Sequence, residues 1–536
     1  MISKLICIAL IILSFIAHAK TFEEKSSKLN IKFSHQDNRA GKFQFTETTG
    51  SGLIWIDYNH DDLIDLLLIN GNLGQHKLFE NKGLSFIDVT NEVLPNTTNK
   101  ALRGMGVCSA DINQDGWVDF LITSVETDML YINQQGKNFK AQPLDKTPIN
   151  RWSTSCAFAD LDNDGDLDLY VTRYVIYDFN GNKSCQNTNI KGYCNPKAYL
   201  GEPDSIYFNN GFGQFSENSK LSGIHTGNKD RGLGVLLSDF DQDQDIDIYV
   251  ANDGSNNRLY LNNGQGVFKD NGLLSGAAIN HNGQSEAGMG VALGDVNRDG
   301  LRDILVTHFS METNTLYINE GNGYFSDKTQ SFGLNRSSFI PMGWGVSFFD
   351  INNDGFEDML VSNGHFHDFI NDLDNRQQYN QRNHVLFNKK GKSFELQNHK
   401  VAFGHTINKS SRGLAIADWN NDGKIDFAVN NVNDKVSVYE NTSSDSNNWI
   451  GIKLIGDKVN SSAIGSVVTV IVDGLKQSKE VISGGSFMSQ SDLRLVFGLA
   501  NNKGPINIIV NWPDGKISKL VLKQLNSWNT IRYSND

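Results

Sequence analysis

The sequence predicts an all-β protein: a seven-bladed β-propeller followed by a small C-terminal β-sandwich-like domain. Three observations predict it. An aspartate-rich loop recurs seven times. Short apolar runs and a tight-turn signal frame each copy, as a four-stranded repeat requires. After residue 445 the aspartate loops stop and a different alternating pattern begins.

The chain opens with Lys4 and a mostly apolar run from Leu5 to Ala17, and Ala17-His18-Ala19 supplies small residues around a cleavage point. Residues 1–19 therefore read as a secretory signal peptide, too short to span a bilayer. Cys7 lies too early for a lipoprotein cleavage site, so a soluble mature chain is expected to start near Lys20. Its expected destination is the periplasm, the cell surface or the medium. Residues 20–44 precede the first repeat, and no later stretch is long and apolar enough for a membrane span.

The repeats occupy residues 45–445. Oxygen-bearing side chains fall at positions one, three, five and nine of each loop. The first copy has Asp57, Asn59, Asp61 and Asp65; the second has Asp111, Asn113, Asp115 and Asp119. The third has Asp160, Asp162, Asp164 and Asp168; the fourth has Asp239, Asp241, Asp243 and Asp247. The fifth has Asp295, Asn297, Asp299 and Asp303; the sixth has Asp350, Asn352, Asp354 and Asp358. The last has Asp418, Asn420, Asp422 and Asp426. The first aspartates lie 54, 49, 79, 56, 55 and 68 residues apart. A repeat of that size is one supersecondary unit that needs neighbours to bury its faces.

Four side-chain oxygens, a backbone carbonyl at position seven and room for water make a hard-cation site, and the expected ion is Ca2+. No thiol lies in the loops and His60 is the only histidine there, which argues against zinc. Asp and Asn also favour turns, but that accounts for one or two such loops, not a four-ligand pattern seven times over. The loops hold 27 of the 61 acidic residues, so the net charge of −13 belongs largely to these sites. That balance, with no basic stripe, argues against nucleic acid. The ion is expected to be structural, screening the carboxylates and pinning the first strand to the second. Asp62 and Gln244 replace the glycine at position six, which predicts either strain or different binding in loops one and four, and Arg298 and Arg302 are expected to weaken the cation attraction of the fifth loop.

Before each loop runs a short strand that carries only Gly or Ser seven and five residues ahead of the first Asp, such as Gly104 and Gly106, or Ser153 and Ser155. Small residues at period two let backbones approach closely on one face, as strands converging on an axis require. An open β-solenoid is the alternative; the glycine-lined strand favours closure. After the loop comes an apolar second strand. A third strand ends in two hydrophobics, a variable residue and Asn, as in LYIN, and a turn leads to a fourth near Phe86, Phe215, Phe268 or Phe325. Each unit thus reads as a four-stranded antiparallel meander. Cys185 and Cys194 flank a short polar loop, which in an exported chain permits a disulfide. Cys108 and Cys156 lie in apolar strands and are expected to be buried free thiols.

Strand order puts the aspartate loops and the Asn turns on one face. The connections between second and third strands lie on the other, where both long insertions fall, Arg173 to Pro203 and Asn363 to Asn383. These can build a recognition surface or simply cap the channel. His308, His365 and His367 share that face; a metal or catalytic cluster is the alternative, and satisfied loop histidines are expected because no Glu or Cys at ligand spacing accompanies them. No nucleophile motif, phosphate-binding loop or carboxylate pair free of the calcium loops is present, so catalytic residues are not assigned. A hydrolase or lyase using the long-loop face is the alternative class.

From Trp449 onward, apolar runs at Ile450 to Ile455, Val467 to Val472, Leu493 to Phe497, Ile506 to Val510 and Lys519 to Leu522 predict a β domain over 448–536, joined by a polar linker from Ser443 to Asn448. The loops and LYxN turns resemble FG-GAP or VCBS repeats, related to integrin α-subunit propellers. WIGIKLIGDKVNSSAIGSVVTV, VISGGSFMSQSDLRLVFGLA and INIIVNWPDGK resemble the ASPIC/UnbV domain. The order of parts, and the insertion at residues 185 to 211, is similar to the cartilage acidic protein family in its bacterial form. That resemblance implies an exported, calcium-binding, non-enzymatic module and names no ligand; the reading of the whole sequence is a module for protein or glycan recognition and adhesion.

Overall fold

The computed structural model describes residues 20–534 except 38–42, 72–74, 96–101, 146–150, 179–182, 184, 188–189, 225–229 and 405–406. The segment 1–19, read as a signal peptide, lies outside the described residues. Among those described, no helix is long and apolar enough to cross a membrane.

Among the described residues of 22–441 the strands form seven four-stranded antiparallel sheets. The first strands are Leu53–Ile56, Gly104–Ala110, Ser153–Ala159, Gly232–Ser238, Val291–Gly294, Gly343–Phe349 and Ser411–Ala417. Each touches the next in order, and the last touches the first, so the sheets close into a ring. The β-propeller fold follows.

The seventh sheet departs from the expected meander. Its own chain supplies Ser411–Ala417, Asp426–Asn431 and Ser437–Asn441, and the outer strand is Phe22–Glu24. Phe22 pairs with Asn441 and Glu24 with Tyr439. The N-terminal segment thus covers an edge that would otherwise expose unpaired backbone groups. Lys25 ties the seam by ion pairs to Glu23 and Glu440 at 2.8 and 2.9 Å.

The paired small residues mark a bulge. Register slips between Gly104 and Val107, Ser153 and Cys156, Gly343 and Val346, and Ser411 and Leu414. The expected period-two face is broken there, and the small residues meet different neighbours. A Cβ on Gly106 would fall 2.3 Å from the Thr154 carbonyl oxygen of the next blade; one on Gly290 would fall 2.0 Å from that of Trp344. The close approach inferred from sequence is therefore between blades.

Cys108 and Cys156 are not free thiols. They form a disulfide between the first strands of adjacent blades, with Cα atoms 5.7 Å apart. Both are buried, one residue apart in repeat register, on strands that converge toward the axis, a relation between blades that strand composition did not reveal. Cys185 and Cys194 form the expected second disulfide. Two disulfides fit an oxidising, extracytoplasmic compartment.

The C-terminal part is a two-sheet β domain. One sheet orders Leu495–Ala500, Asn448–Ile455 and Trp528–Arg532; the other orders Leu475–Glu480, Val467–Val472, Ile506–Asn511 and Ile517–Leu522. Two of these strands lay outside the expected set: the polar LKQSKE hairpin arm and the last strand, which runs parallel to the first. Its core is continuous with the cores of the second to fourth blades.

Between these sheets, residues 483–492 enter the propeller's central channel. Ser486 exchanges backbone bonds of 2.8 and 2.7 Å with Val291. The Met488 carbonyl accepts from Val107, and the Ser489 hydroxyl accepts from Leu53 at 3.1 Å. Gln490 Oε1 accepts from the Ser109 amide at 2.9 Å, and Ser491 Oγ from Ile416 at 3.1 Å. First strands of a propeller are inner edges, and this plug satisfies amide groups that would otherwise be buried unpaired.

Candidate metal centre and recognition face

Every aspartate loop folds by the same device. The position-five carboxylate accepts the amide of position seven, from Asp61 with Leu63 at 3.0 Å to Asp422 with Lys424 at 2.9 Å. The position-one carboxylate accepts the amide of position six in six copies, as in Asp350 with Gly355 at 2.7 Å. Position six has positive φ in all seven, including Asp62 at 63° and Gln244 at 78°, so the expected backbone strain is present. Position four is also left-handed, from His60 at 59° to Asn421 at 58°, although no glycine marks it.

Position nine is buried beneath the loop. Asp119 accepts the Asn133 amide at 2.7 Å and the Ile112 amide at 3.3 Å, and the same pair of bonds recurs from Asp65 to Asp358. The asparagine ending each third strand does more than turn the chain. Asn133 Nδ2 donates to Val118 in its own loop and to Tyr58 at position two of the preceding loop, at 3.1 and 2.9 Å. Asn209, Asn262, Asn319, Asn388 and Asn441 repeat the bond to the preceding loop, and Asn81 donates to Trp419 across the seam at 2.9 Å. The loops are thus stapled into a circle. The LYxN pattern carried this signal, but a turn explained it equally well.

Burial pushes the carboxyls up. Asp65 and Asp168 rise to about 9, and Asp119, Asp247 and Asp303 to about 8, with desolvation the largest cause. Asp350 and Asp418 rise to about 7, Asp160 and Asp295 to about 6, for the same reason. In the third and fourth loops, oxygens of Asp160, Asp162 and Asp168, and of Asp239, Asp241 and Asp247, lie within 4.8 Å of one another. Asp160 Oδ1, Asp241 Oδ1 and Asp426 Oδ2 are buried without a hydrogen-bond partner. Clustered, partly unpartnered oxygens in an oxygen-only donor set fit a hard divalent cation. In four of the five other loops the position-three asparagine turns its amide onto the position-five carboxylate, as Asn297 does to Asp299 at 2.7 Å.

The C-terminal domain lies over this face. Lys453 reaches Asp62 at 2.5 Å and Asp57 at 3.7 Å. The Ser461 hydroxyl donates to Asp111, and Trp528 Nε1 donates to Asp418 at 3.2 Å. Arg298 and Arg302, expected to weaken the cation attraction of the fifth loop, also make contacts outside it. Burial raises Asp295 and Arg302 opposes that rise; the Arg302 guanidinium donates to Glu480 and Ser478, while Arg298 donates to the Lys476 carbonyl and stacks on Phe356. Both dock the C-terminal domain. Sequence patterning within the repeats held no signal for these contacts.

On the opposite face the two long insertions meet. The third-blade insertion carries the Cys185–Asn187 and Ile190–Gly192 hairpin; the sixth carries the short helix Ile370–Leu373. Tyr193 stacks on His367 with centroids 5.9 Å apart. They wall a cavity of about 800 Å³ that also touches Phe45, Tyr174, Met289 and Trp344. The three histidines are not all satisfied. His308 Nδ1 bonds the Thr313 carbonyl at 2.8 Å, but its Nε2, like His365 Nε2 and His367 Nδ1, is buried without a hydrogen-bond partner. Among the described residues they join no metal-ligating group.

Comparison with known proteins agrees with this architecture. The FG-GAP-like repeat family matches residues 57–122, 111–171, 239–306 and 295–361, and the ASPIC and UnbV family matches residues 456–536. Cartilage acidic protein 1 of Mus musculus is 24% identical over 313 residues, 57% of this chain and 46% of that protein. Its Homo sapiens counterpart is 23% identical over 320 residues, 58% of this chain and 45% of that protein. The chain spans about half the length of these curated relatives. A solved Agrocybe aegerita lectin, described as recognising non-reducing terminal N-acetylglucosamine, is 16% identical; the match covers 72% of this chain and 94% of that one with a TM-score of 0.43.

Proposed function

For a chain that carries FG-GAP-like repeats and a C-terminal ASPIC and UnbV domain, and that is homologous to cartilage acidic protein 1, we propose an exported, calcium-stabilised, non-enzymatic module that recognises an extracellular protein or glycan. These domains fit a propeller recognition or adhesion module. The observation that carries the reading is the meeting of the two long insertions over one mouth of a closed ring. Rigid scaffolds carry binding on such loops. The carboxylates and amides at positions one, three, five and nine would hold the ion, which supplies positive charge against clustered aspartates. Asp160, Asp162 and Asp168, and Asp239, Asp241 and Asp247, support this most directly.

The test replaces residues 178–198 and residues 366–380 with short Gly-Ser turns, separately and together. Each variant goes through a glycan array and a pull-down from the surrounding medium, with calcium present. Loss of a partner bound by the parent chain supports the reading. A partner retained by both deletions places recognition elsewhere.

A further inference from the structure

We infer that the cavity between the two insertions binds a neutral small molecule: a flat, ring-bearing apolar body that carries an acceptor oxygen such as a carbonyl. This goes beyond recognition of a protein or glycan, because it concerns a ligand the chain would hold by itself.

The size and walls come first. About 800 Å³ lies within the range of about 300–1,000 Å³ typical of small-molecule sites. The walls are aromatic and thioether: Phe45, Tyr174, Met289, Met342, Trp344 and Phe366. Their positions are fixed from behind. Phe45 stacks on Tyr199 at 7° and 4.9 Å. Trp344 packs on Phe487 of the channel plug at 4.9 Å, carries the Arg412 guanidinium 4.0 Å from its ring, and donates Nε1 to the Gly364 carbonyl at 2.7 Å.

The polar group that selects a ligand is His365. Its Nδ1 accepts the His367 amide at 3.0 Å, so the ring proton sits on Nε2. Burial lowers this histidine to about 3, so it stays a neutral imidazole at ordinary pH. The Nε2–H donor is buried without a partner in a residue only 1% exposed, and such donors are rare because leaving a buried donor unpaired is costly. His365 lines the cavity, and a turn of its ring that brings this donor to a ligand acceptor oxygen relieves that cost. Gln377 Oε1 and His367 Nδ1, also unpartnered on the same wall, can accept or orient a second polar group.

Charge and composition set the rest. Asp253 and Glu312 line the cavity and disfavour an anion. Lys197 on the wall and Arg412 behind Trp344 disfavour a quaternary ammonium. Leu233, Met289 and Met342 extend the apolar wall beside the aromatic rings.

The test uses the purified full chain and the neutral dye N-phenyl-1-naphthylamine, whose fluorescence rises in apolar sites. Competitors are 2-acetylnaphthalene and 2-ethylnaphthalene, alike in shape but for the ketone oxygen. Saturable one-to-one dye binding is expected, with the ketone displacing the dye roughly tenfold better than the hydrocarbon. His365→Phe should keep dye binding and shrink that preference to about twofold or less. Absence of saturable binding in the parent chain overturns the inference. So does equal displacement by the two naphthalenes, which needs no variant to fold. Displacement by methyl glycosides or tetramethylammonium, but not by the ketone, also overturns it.

Discussion

Asn133 holds three bonds with one side chain. Its amide donates to Tyr58 and Val118, and its Oδ1 accepts from Gly136 at 2.7 Å. Asn133→Ala leaves two buried carbonyls unpaired and severs one inter-blade staple. The expected loss is about 2–4 kcal/mol in denaturant unfolding, since each unpaired group costs on the order of 1–3 kcal/mol. A loss under about 0.5 kcal/mol would show that the staples are incidental. The carboxyls beneath give a second prediction, for chelated protein. Burial raises Asp160 from 3.8 to about 6, Asp350 to about 7 and Asp65 to about 9. A raised folded-state value means that stabilising protonation is complete below the unfolded value and is lost as pH rises through the folded one. In chelator, the melting temperature should therefore fall steadily from about pH 5 to about pH 9. Saturating calcium favours the ionised form and should flatten or reverse that slope. A flat profile in chelator contradicts the burial of these groups.

At the scale of the element, the first strands carry the closest tolerances. Gly290→Ala would press a methyl group against the Trp344 carbonyl, and overpacking of this kind costs on the order of 1–3 kcal/mol, occasionally more. Gly283→Ala meets nothing within 4 Å and is strained only by its positive φ of 73°. The first should unfold at clearly lower denaturant than the second; the reverse order would argue against tight first-strand packing. These strands also show what sequence could reveal. The seven loops were legible because ligand-like oxygens must recur at fixed spacing, and the glycines because a crowded axis admits no side chain. The outer strand Phe22–Glu24 was not legible, since three residues set apart from the repeats carry no periodicity. The plug SGGSFMSQ looks like a flexible loop, and only the ring it fills gives it a structure. Cys108 and Cys156 belong to different blades, so their pairing depends on the curvature of the ring. In the cavity, His365 and His367 were visible as residues, but their unpartnered nitrogens depend on the fold of the insertion.

The whole molecule behaves as one body, with the C-terminal domain as lid and plug. Lys453, Ser461, Arg494 and Trp528 meet the aspartate loops, while residues 483–492 reach first strands of six blades. A shared core links both parts. Calorimetry should therefore show a single transition for the full chain, and two separated transitions would make the domains independent. The ring also concentrates carboxylates on one face beneath that lid, where the proposed calcium would supply compensating charge. The most direct measurement is calcium bound per chain, by elemental analysis after exhaustive dialysis, read beside thermal melts in calcium and in chelator. The account predicts several tightly held ions and a melting temperature at least about 10 °C lower in chelator, which corresponds to a few kcal/mol for a molecule of this size. Ion-free protein that melts at the same temperature in both conditions would contradict it.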